Sequence, residues 1–247
     1  MDSISENARA RKEYAPPASR VRSLPRKVRN RVRRVLRWLG LRPSARQYWQ
    51  TRALTHGVRS VLDLRHTDTE VDEVTARQVA LLFPLLRGCL GPDDRRLLDF
   101  GCGPGRFTPL LANLVGGTAV GVDPVERYVD MAPRAPNVEY RALRRGIDAA
   151  DGSFDVVWIC VVLGGIVGRR ELKRTAREIE RVLRPGGLLF LVENTSETRD
   201  GYYWKYRSVD DYRRLFPSVA LAPVSEYVDI DQRISVLAGR RRAARVS

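Results

Sequence analysis

Histidine is almost absent from this chain: His56 and His66 are the only two in 247 residues. Cysteine is nearly as scarce. Cys89, Cys102 and Cys160 are widely spaced, with no Cys-x-x-Cys pair, a pattern that argues against a zinc site and a disulfide framework and predicts three reduced thiols. No apolar run approaches the roughly 20 residues that span a bilayer. The opening stretch "MDSISENARARKEY" lacks the apolar centre of a signal peptide. A soluble cytoplasmic protein is the expectation, and the Gly-Lys-Ser/Thr ending of a phosphate loop is missing as well.

What the chain has in excess is arginine, and its position decides its meaning. The formal charge is +15, but residues 1–46 carry 14 basic residues against Asp2, Glu6 and Glu13. Arg240, Arg241, Arg242 and Arg245 add four more at the other end, which leaves 26 basic and 26 acidic residues for 47–239. The middle of the chain is formally neutral, so the nucleic-acid signal that such a charge suggests belongs to the ends.

Five segments follow. Residues 1–22 are polar, contain "APPAS" and read as a disordered basic tail. Residues 23–46 read as a basic amphipathic helix, with Leu24, Val28, Val32, Val35, Leu36 and Leu39 at helical spacing before Gly40. Such a helix either lies on an anionic membrane surface or polyanion, which would put the protein at the inner face of a membrane, or packs on its own domain. Residues 47–92 read as a helical lid. Thr67 and Glu70 have capping-box spacing ahead of a helix from about Asp68 to Arg87, whose first-turn acids Asp68, Glu70, Asp72 and Glu73 suit the helix dipole better than a metal. Residues 93–239 form the main domain, and 240–247 a basic C-terminal tail.

Within the main domain, strands alternate with helices. "RLLDF", "TAVGVD", "VEYRAL", "FDVVWICVVL" and "LLFLVEN" read as strands, with two more around Val219–Glu226 and Arg233–Ala238. "RFTPLLANLV", "ERYVDMA" and "ELKRTAREIERVL" read as helices, the last ended by Arg184-Pro185-Gly186-Gly187. The order implies an α/β, Rossmann-like, doubly wound parallel sheet with ligands at the carboxyl ends of its strands.

The stretch "LLDFGCGPGRF" places Gly101, Gly103 and Gly105 in the turn between a strand and a helix, where backbone N–H groups can face a ligand. The next strand ends in Asp123, near the separation expected of an acid on ribose hydroxyls. The spacing is G-x-G-x-G, and Arg106 stands where a dinucleotide fingerprint wants its third glycine. Nicotinamide, flavin and ATP are therefore poorly supported, and an adenosine-type pocket remains.

"LLDFGCGPG", "GVD", "DGSFDVVW" and "RVLRPGGLLFLVEN", in that order, resemble the successive motifs of class I S-adenosylmethionine-dependent methyltransferases, in particular their type 11-like small-molecule or glycan branch. The resemblance covers roughly residues 95–195. It implies seven strands with a reversed last one, S-adenosylmethionine as cofactor and S-adenosylhomocysteine as product. It also implies roles for positions: Asp99, Gly101, Cys102, Gly103 and Gly105 around the methionine part, Asp123 on the ribose, and Pro124, Val125, Leu143 and Arg144 at the adenine. Cys160, Val161 and Val162 would face the sulfonium and the acceptor, although a plain buried thiol is the simpler reading of Cys160. Arg144 departs from the acid often found there, and Asp148 is the nearest following acid.

For the acceptor, His66 or Glu193 is the candidate base, and Arg65, Asn194, Tyr202, Trp204 and Tyr206 are candidate acceptor contacts. No "NPPY"-like tetrad and no Pro-Cys nucleophile occur. With the neutral middle of the chain, this points to a small-molecule or saccharide hydroxyl as acceptor. The alternatives are an RNA methyltransferase that draws substrate in through its arginine-rich end, or a nucleoside-binding module that acts on RNA or membrane without catalysis. No metal is expected.

Overall fold

The computed structural model describes residues 43–243 except 64, 67–69 and 198–199, together with Val28, Arg31 and Val35. The 1–22 tail, Thr67 of the capping box and residues 244–247 lie outside the described residues, as does most of the 23–46 helix; its three described residues are helical. The chain divides into two units, 1–44 and 45–247, and everything below concerns the second.

Seven strands form one sheet: β1 (Arg96–Phe100), β2 (Thr118–Asp123), β3 (Val138–Ala142), β4 (Phe154–Cys160), β5 (Leu183–Asn194), β6 (Ala222–Asp229) and β7 (Gln232–Arg240). Their order is β3-β2-β1-β4-β5-β7-β6. All neighbours up to β5 run parallel, and β7 runs antiparallel to both β5 and β6, so the last strand is the reversed one. The sheet has the expected seven-stranded class I architecture.

Six helices flank or cap it: α1 (Ala45–His56), α2 (Val71–Cys89), α3 (Thr108–Leu114), α4 (Glu126–Met131), α5 (Arg169–Val182) and α6 (Val209–Leu215). Side chains alternate across the sheet and define two cores. Leu98, Phe100, Val157, Ile159, Leu189 and Leu191 face one side, where Leu172, Ala176, Ile179 and Val182 of α5 cover them. Leu97, Val156, Trp158, Leu188 and Phe190 face the other, under Leu82, Phe83 and Leu86 of α2 and Leu111 of α3. The long helix is thus a covering layer of the sheet rather than part of a lid, because its apolar face is long enough to bury against β1 and β4.

Three boundaries differ from the sequence reading. β5 begins at Leu183, where that residue pairs with Phe154 across an irregularity, and Gly186 at φ +76° carries the bulge. β6 starts at Ala222, while Val219 only bridges Arg241. Arg240 is not in a free tail: it ends β7 and grips Asp94, whose Oδ2 lies 2.8 Å from Arg240 Nη2 and whose Oδ1 lies 3.0 Å from Arg184 Nη2. Asp94 is buried, and a buried carboxylate needs such partners. No helix among the described residues is long and apolar enough to cross a membrane.

Candidate active site

The carboxyl ends of β1, β2 and β4 open onto a cavity of about 880 Å³. Asp99, Gly101, Cys102, Gly103, Asp123, Pro124, Val125, Leu143, Arg144, Cys160, Val161 and Val162 line it, as do Arg65, Asn194, Tyr202, Trp204 and Tyr206. Gly105, Asp148, His66 and Glu193 are outside the lining.

The glycine turn is shaped by the chain's own side chains as much as by any ligand. Gly101, Gly103 and Gly105 all have positive φ, at +76°, +54° and +75°. A Cβ at Gly101 would stand 2.5 Å from both methyls of Val162, one at Gly103 2.9 Å from Val61, and one at Gly105 2.6 Å from the Tyr140 hydroxyl. The amides are also occupied: those of Gly101 and Cys102 donate to Val122 O, that of Gly103 to Asp123 Oδ2 at 3.1 Å, and that of Gly105 to Cys102 O. The expectation of free N–H groups facing a ligand is corrected here, because the turn folds back on β2 and uses them.

The turn and β2 therefore present oxygens. Asp123 accepts from Gly103 and, at 2.8 Å, from the Val125 amide, which leaves one lone pair on each carboxylate oxygen. Asp99 accepts from Thr108 Oγ1 at 2.6 Å. Burial pushes the Asp99 carboxyl up to about 7 and that of Asp123 up to about 6. Two buried acids with spare acceptor positions suit a ligand that brings positive charge and hydroxyl donors. S-adenosylmethionine is such a ligand: Asp123 would take its ribose hydroxyls, and Asp99 would lie near its charged methionine end.

Residues of α1 and of the turn after it, among them Tyr48, Arg52 and Val61, also line the cavity. Arg52 of α1 donates to Ser60 O and Leu62 O, and Ser60 Oγ lies 2.7 Å from the Tyr128 hydroxyl on α4. These bonds hold the 3-10 turn Gly57–Val61 down, with Val61 over Gly103. Tyr48 stacks on Tyr203 at 4.0 Å, and Trp204 packs against Gly164 so closely that a Cβ there would be 2.3 Å away. Of the aromatic stretch, Tyr202, Trp204 and Tyr206 line the cavity wall. Arg144, at the adenine end, is exposed and pairs with Glu126 at 3.3 Å.

The two candidate bases lie elsewhere. Glu193 accepts from the Val162 and Leu163 amides at 2.8 and 2.6 Å and from the Tyr212 hydroxyl at 3.3 Å. Strand alternation explains this, since Glu193 has the parity of Leu189 and Leu191 and so points away from Asn194 and the cavity. His66 is buried between Glu70 and Asp229, with Nδ1 3.7 Å and Nε2 3.5 Å from their oxygens. Arg65 beside it reaches the β6–β7 turn, donating to Asp231 Oδ1 at 2.8 Å and Ile230 O at 2.9 Å. Asn194 donates to Gln232 Oε1 at 2.6 Å.

Residues that sequence reasoning passed over include Gln78, Arg106, Tyr227, Asp229 and Gln232, all lining the end of the cavity beyond Cys160. Arg106 carries a signal in the sequence, its place directly after the last glycine of the turn. Among the described residues, no group of three or more His, Cys, Asp or Glu could hold a metal ion.

Residues 98–191 match the family model of a methyltransferase domain. An uncharacterized methyltransferase of Mycobacterium tuberculosis is 34% identical over 110 residues, 44% of this chain and 43% of that protein. A human thiol S-methyltransferase is 31% identical over 147 residues, 52% of this chain and 54% of its own length. The chain thus spans about half the length of these curated relatives. A crystal structure of an S-adenosylmethionine-dependent methyltransferase from Aquifex aeolicus shares the fold, with a TM-score of 0.51 at 17% identity over 71% of this chain and 99% of that one. With four ordered motifs, a sheet in this strand order and two acids at the ends of β1 and β2, residues 98–191 carry a methyltransferase domain on a fold shared with S-adenosylmethionine-dependent methyltransferases.

Proposed function

We propose that the protein transfers a methyl group from S-adenosylmethionine to a small-molecule acceptor, at an oxygen. The observation that carries this reading is the cavity itself: its lining runs from Asp123 and Leu143 at the nucleoside end to Cys160, Asn194 and Tyr227 at the other, so donor and acceptor would share one space. Holding both there converts a bimolecular displacement into an oriented one, which is most of what this reaction asks of a protein. The cofactor supplies an electrophilic methyl carbon; the acceptor's lone pair bonds to it as the carbon–sulfur bond breaks onto sulfur.

The acceptor class is supported by the wall of Tyr202, Trp204 and Tyr206, which suits a ring or sugar, and by the formal neutrality of residues 47–239. A polyanion would meet no basic excess there. The test is transfer of labelled methyl from S-adenosylmethionine to a panel of phenols, sugars and thiols and to RNA, at low and moderate salt. Transfer to a small acceptor that survives moderate salt and deletion of residues 1–42 supports the reading. Transfer to RNA alone, lost with salt and with that deletion, contradicts it.

A further inference from the structure

The far end of the cavity is furnished with groups that donate. Arg106 is half-buried beneath α2; its guanidinium gives one N–H to Thr75 Oγ1 at 2.7 Å and shares others with Gln78 Oε1 at 3.3 Å. Its hydrogen-bond partners are neutral, and no carboxylate among the described residues forms an ion pair with it. Opposite, on β6, the buried Tyr227 hydroxyl sits beside Gln78 without a well-formed hydrogen bond. Both side chains line the cavity next to Cys160.

None of these three groups is a base. Burial pushes the Tyr227 phenol far up and the Cys160 thiol up to about 12, so both keep their protons. Of the nearby acids, Asp99 accepts from Thr108 and acts on Arg106 through space without bonding to it, and Asp229 faces His66. A cation with no carboxylate bonded to it is costly to bury, and a hydroxyl donor left unused beside it adds to that cost. Both costs vanish if the ligand brings an anionic atom to this place.

We propose that this end of the cavity binds the acceptor as an anion, a phenolate or thiolate whose charged atom takes hydrogen bonds from Arg106 and Tyr227. The inference rests on the methyl-transfer reading and names the chemical class of its acceptor; a thiolate would keep the transfer and move it from oxygen to sulfur. An opposite charge at contact lowers an acid's pKa by about 1 to 3 units, so the pocket ionises an acidic acceptor without a dedicated base. The acceptor's proton leaves to solvent before transfer. Its oxygen or sulfur then bonds to the methyl carbon as the carbon–sulfur bond breaks, the electron pair stays on sulfur, and the acceptor's negative and the donor's positive charge both disappear.

The test uses the full chain saturated with S-adenosylhomocysteine and two probes whose ionised forms absorb differently from the acids, 4-nitrophenol and thiophenol. A pH titration by absorbance reads the ionised fraction of the bound probe. The wild type should lower the apparent pKa of at least one bound probe by about one unit or more. Arg106→Met should abolish the shift, Arg106→Lys keep part of it, and Tyr227→Phe lose part of it, each with S-adenosylhomocysteine affinity unchanged by calorimetry. The probe that shifts distinguishes a phenol from a thiol acceptor. A wild type that binds neither probe, or ionises neither, overturns the proposal, as does an equal shift in Arg106→Met. Weakened S-adenosylhomocysteine binding in Arg106→Met with the probe shift intact assigns the guanidinium to the donor's carboxylate and also overturns it. A wild type that fails to bind S-adenosylhomocysteine is a different result, since it refutes the transfer reading itself.

Discussion

The Glu193 carboxylate lies 2.8 Å from the Val162 amide nitrogen and holds the turn through which β4 opens onto the cavity. The residue before that amide, Val161, has a φ of 56°, a left-handed conformation that a β-branched side chain seldom adopts. The surroundings must impose it, and Glu193 does so with two amide bonds and the Tyr212 hydroxyl. The strain is kept where the sheet meets the reacting space.

Glu193→Ala is therefore expected to destabilise the fold by about 2 to 3 kcal/mol, the order for buried donors left without an acceptor. Glu193→Gln, which retains an oxygen for the amides, should cost less. Denaturant unfolding of the two variants measures this. Equal losses, or no loss in either, would show that the turn holds itself.

The same residue shows what a sequence discloses and what it does not. The alternation that turns Glu193 away from Asn194 is present in "LLFLVEN", but which face of β5 looks into the cavity depends on where α2 and α5 pack. The glycine positions in "GCGPG" were readable, and their positive φ follows from the residue type. Their neighbours Val61, Val162 and Tyr140 come from three separate segments, so the contacts that require the glycines were not readable. Likewise, nothing in a terminal run of arginines indicates that Asp94, 146 positions earlier, binds Arg240. Arg106 meets Thr75 and Gln78, about thirty residues before it, only because the long helix lies across the glycine turn.

Asp94 should be a stability residue with no part in binding. Asp94→Ala leaves Arg184 and Arg240 without their shared carboxylate. A loss of about 2 to 4 kcal/mol is expected, toward the lower end for a broken buried pair because both arginines are partly exposed. Cofactor affinity at a temperature where the variant is folded should not change. A changed affinity would mean that this network reaches the cavity.

Asp99 and Asp123 make stability and binding depend on pH in opposite senses. Burial raises both carboxyls above their ordinary value near 4, to about 7 and about 6. The folded chain therefore holds these protons more tightly than the unfolded one. Their contribution to stability is full below about pH 4 and is lost as pH rises through 6 and 7. A cationic ligand favours the carboxylates, so S-adenosylmethionine should bind with release of protons near pH 6 and more tightly at pH 8 than at pH 5.5. Calorimetry in two buffers of different ionisation enthalpy reads the released protons. The release should shrink in Asp99→Asn; no release in the wild type would contradict the protonation of these acids.

His66, set between Glu70 and Asp229 outside the cavity lining, is expected to act on position rather than on protons. His66→Asn should retain at least a tenth of the wild-type turnover and all of the cofactor affinity. A loss of about a hundredfold or more in turnover alone would restore it as a general base.

The central claim is that the Asp123 end of the cavity binds the nucleoside of the methyl donor, and calorimetric titration of wild type and Asp123→Ala with S-adenosylhomocysteine tests it most directly. The account predicts one-to-one binding by the wild type, weakened in the variant by about 1 to 3 kcal/mol, the worth of hydrogen bonds to a charged group. No binding by the wild type, or equal affinity in both proteins, would contradict it.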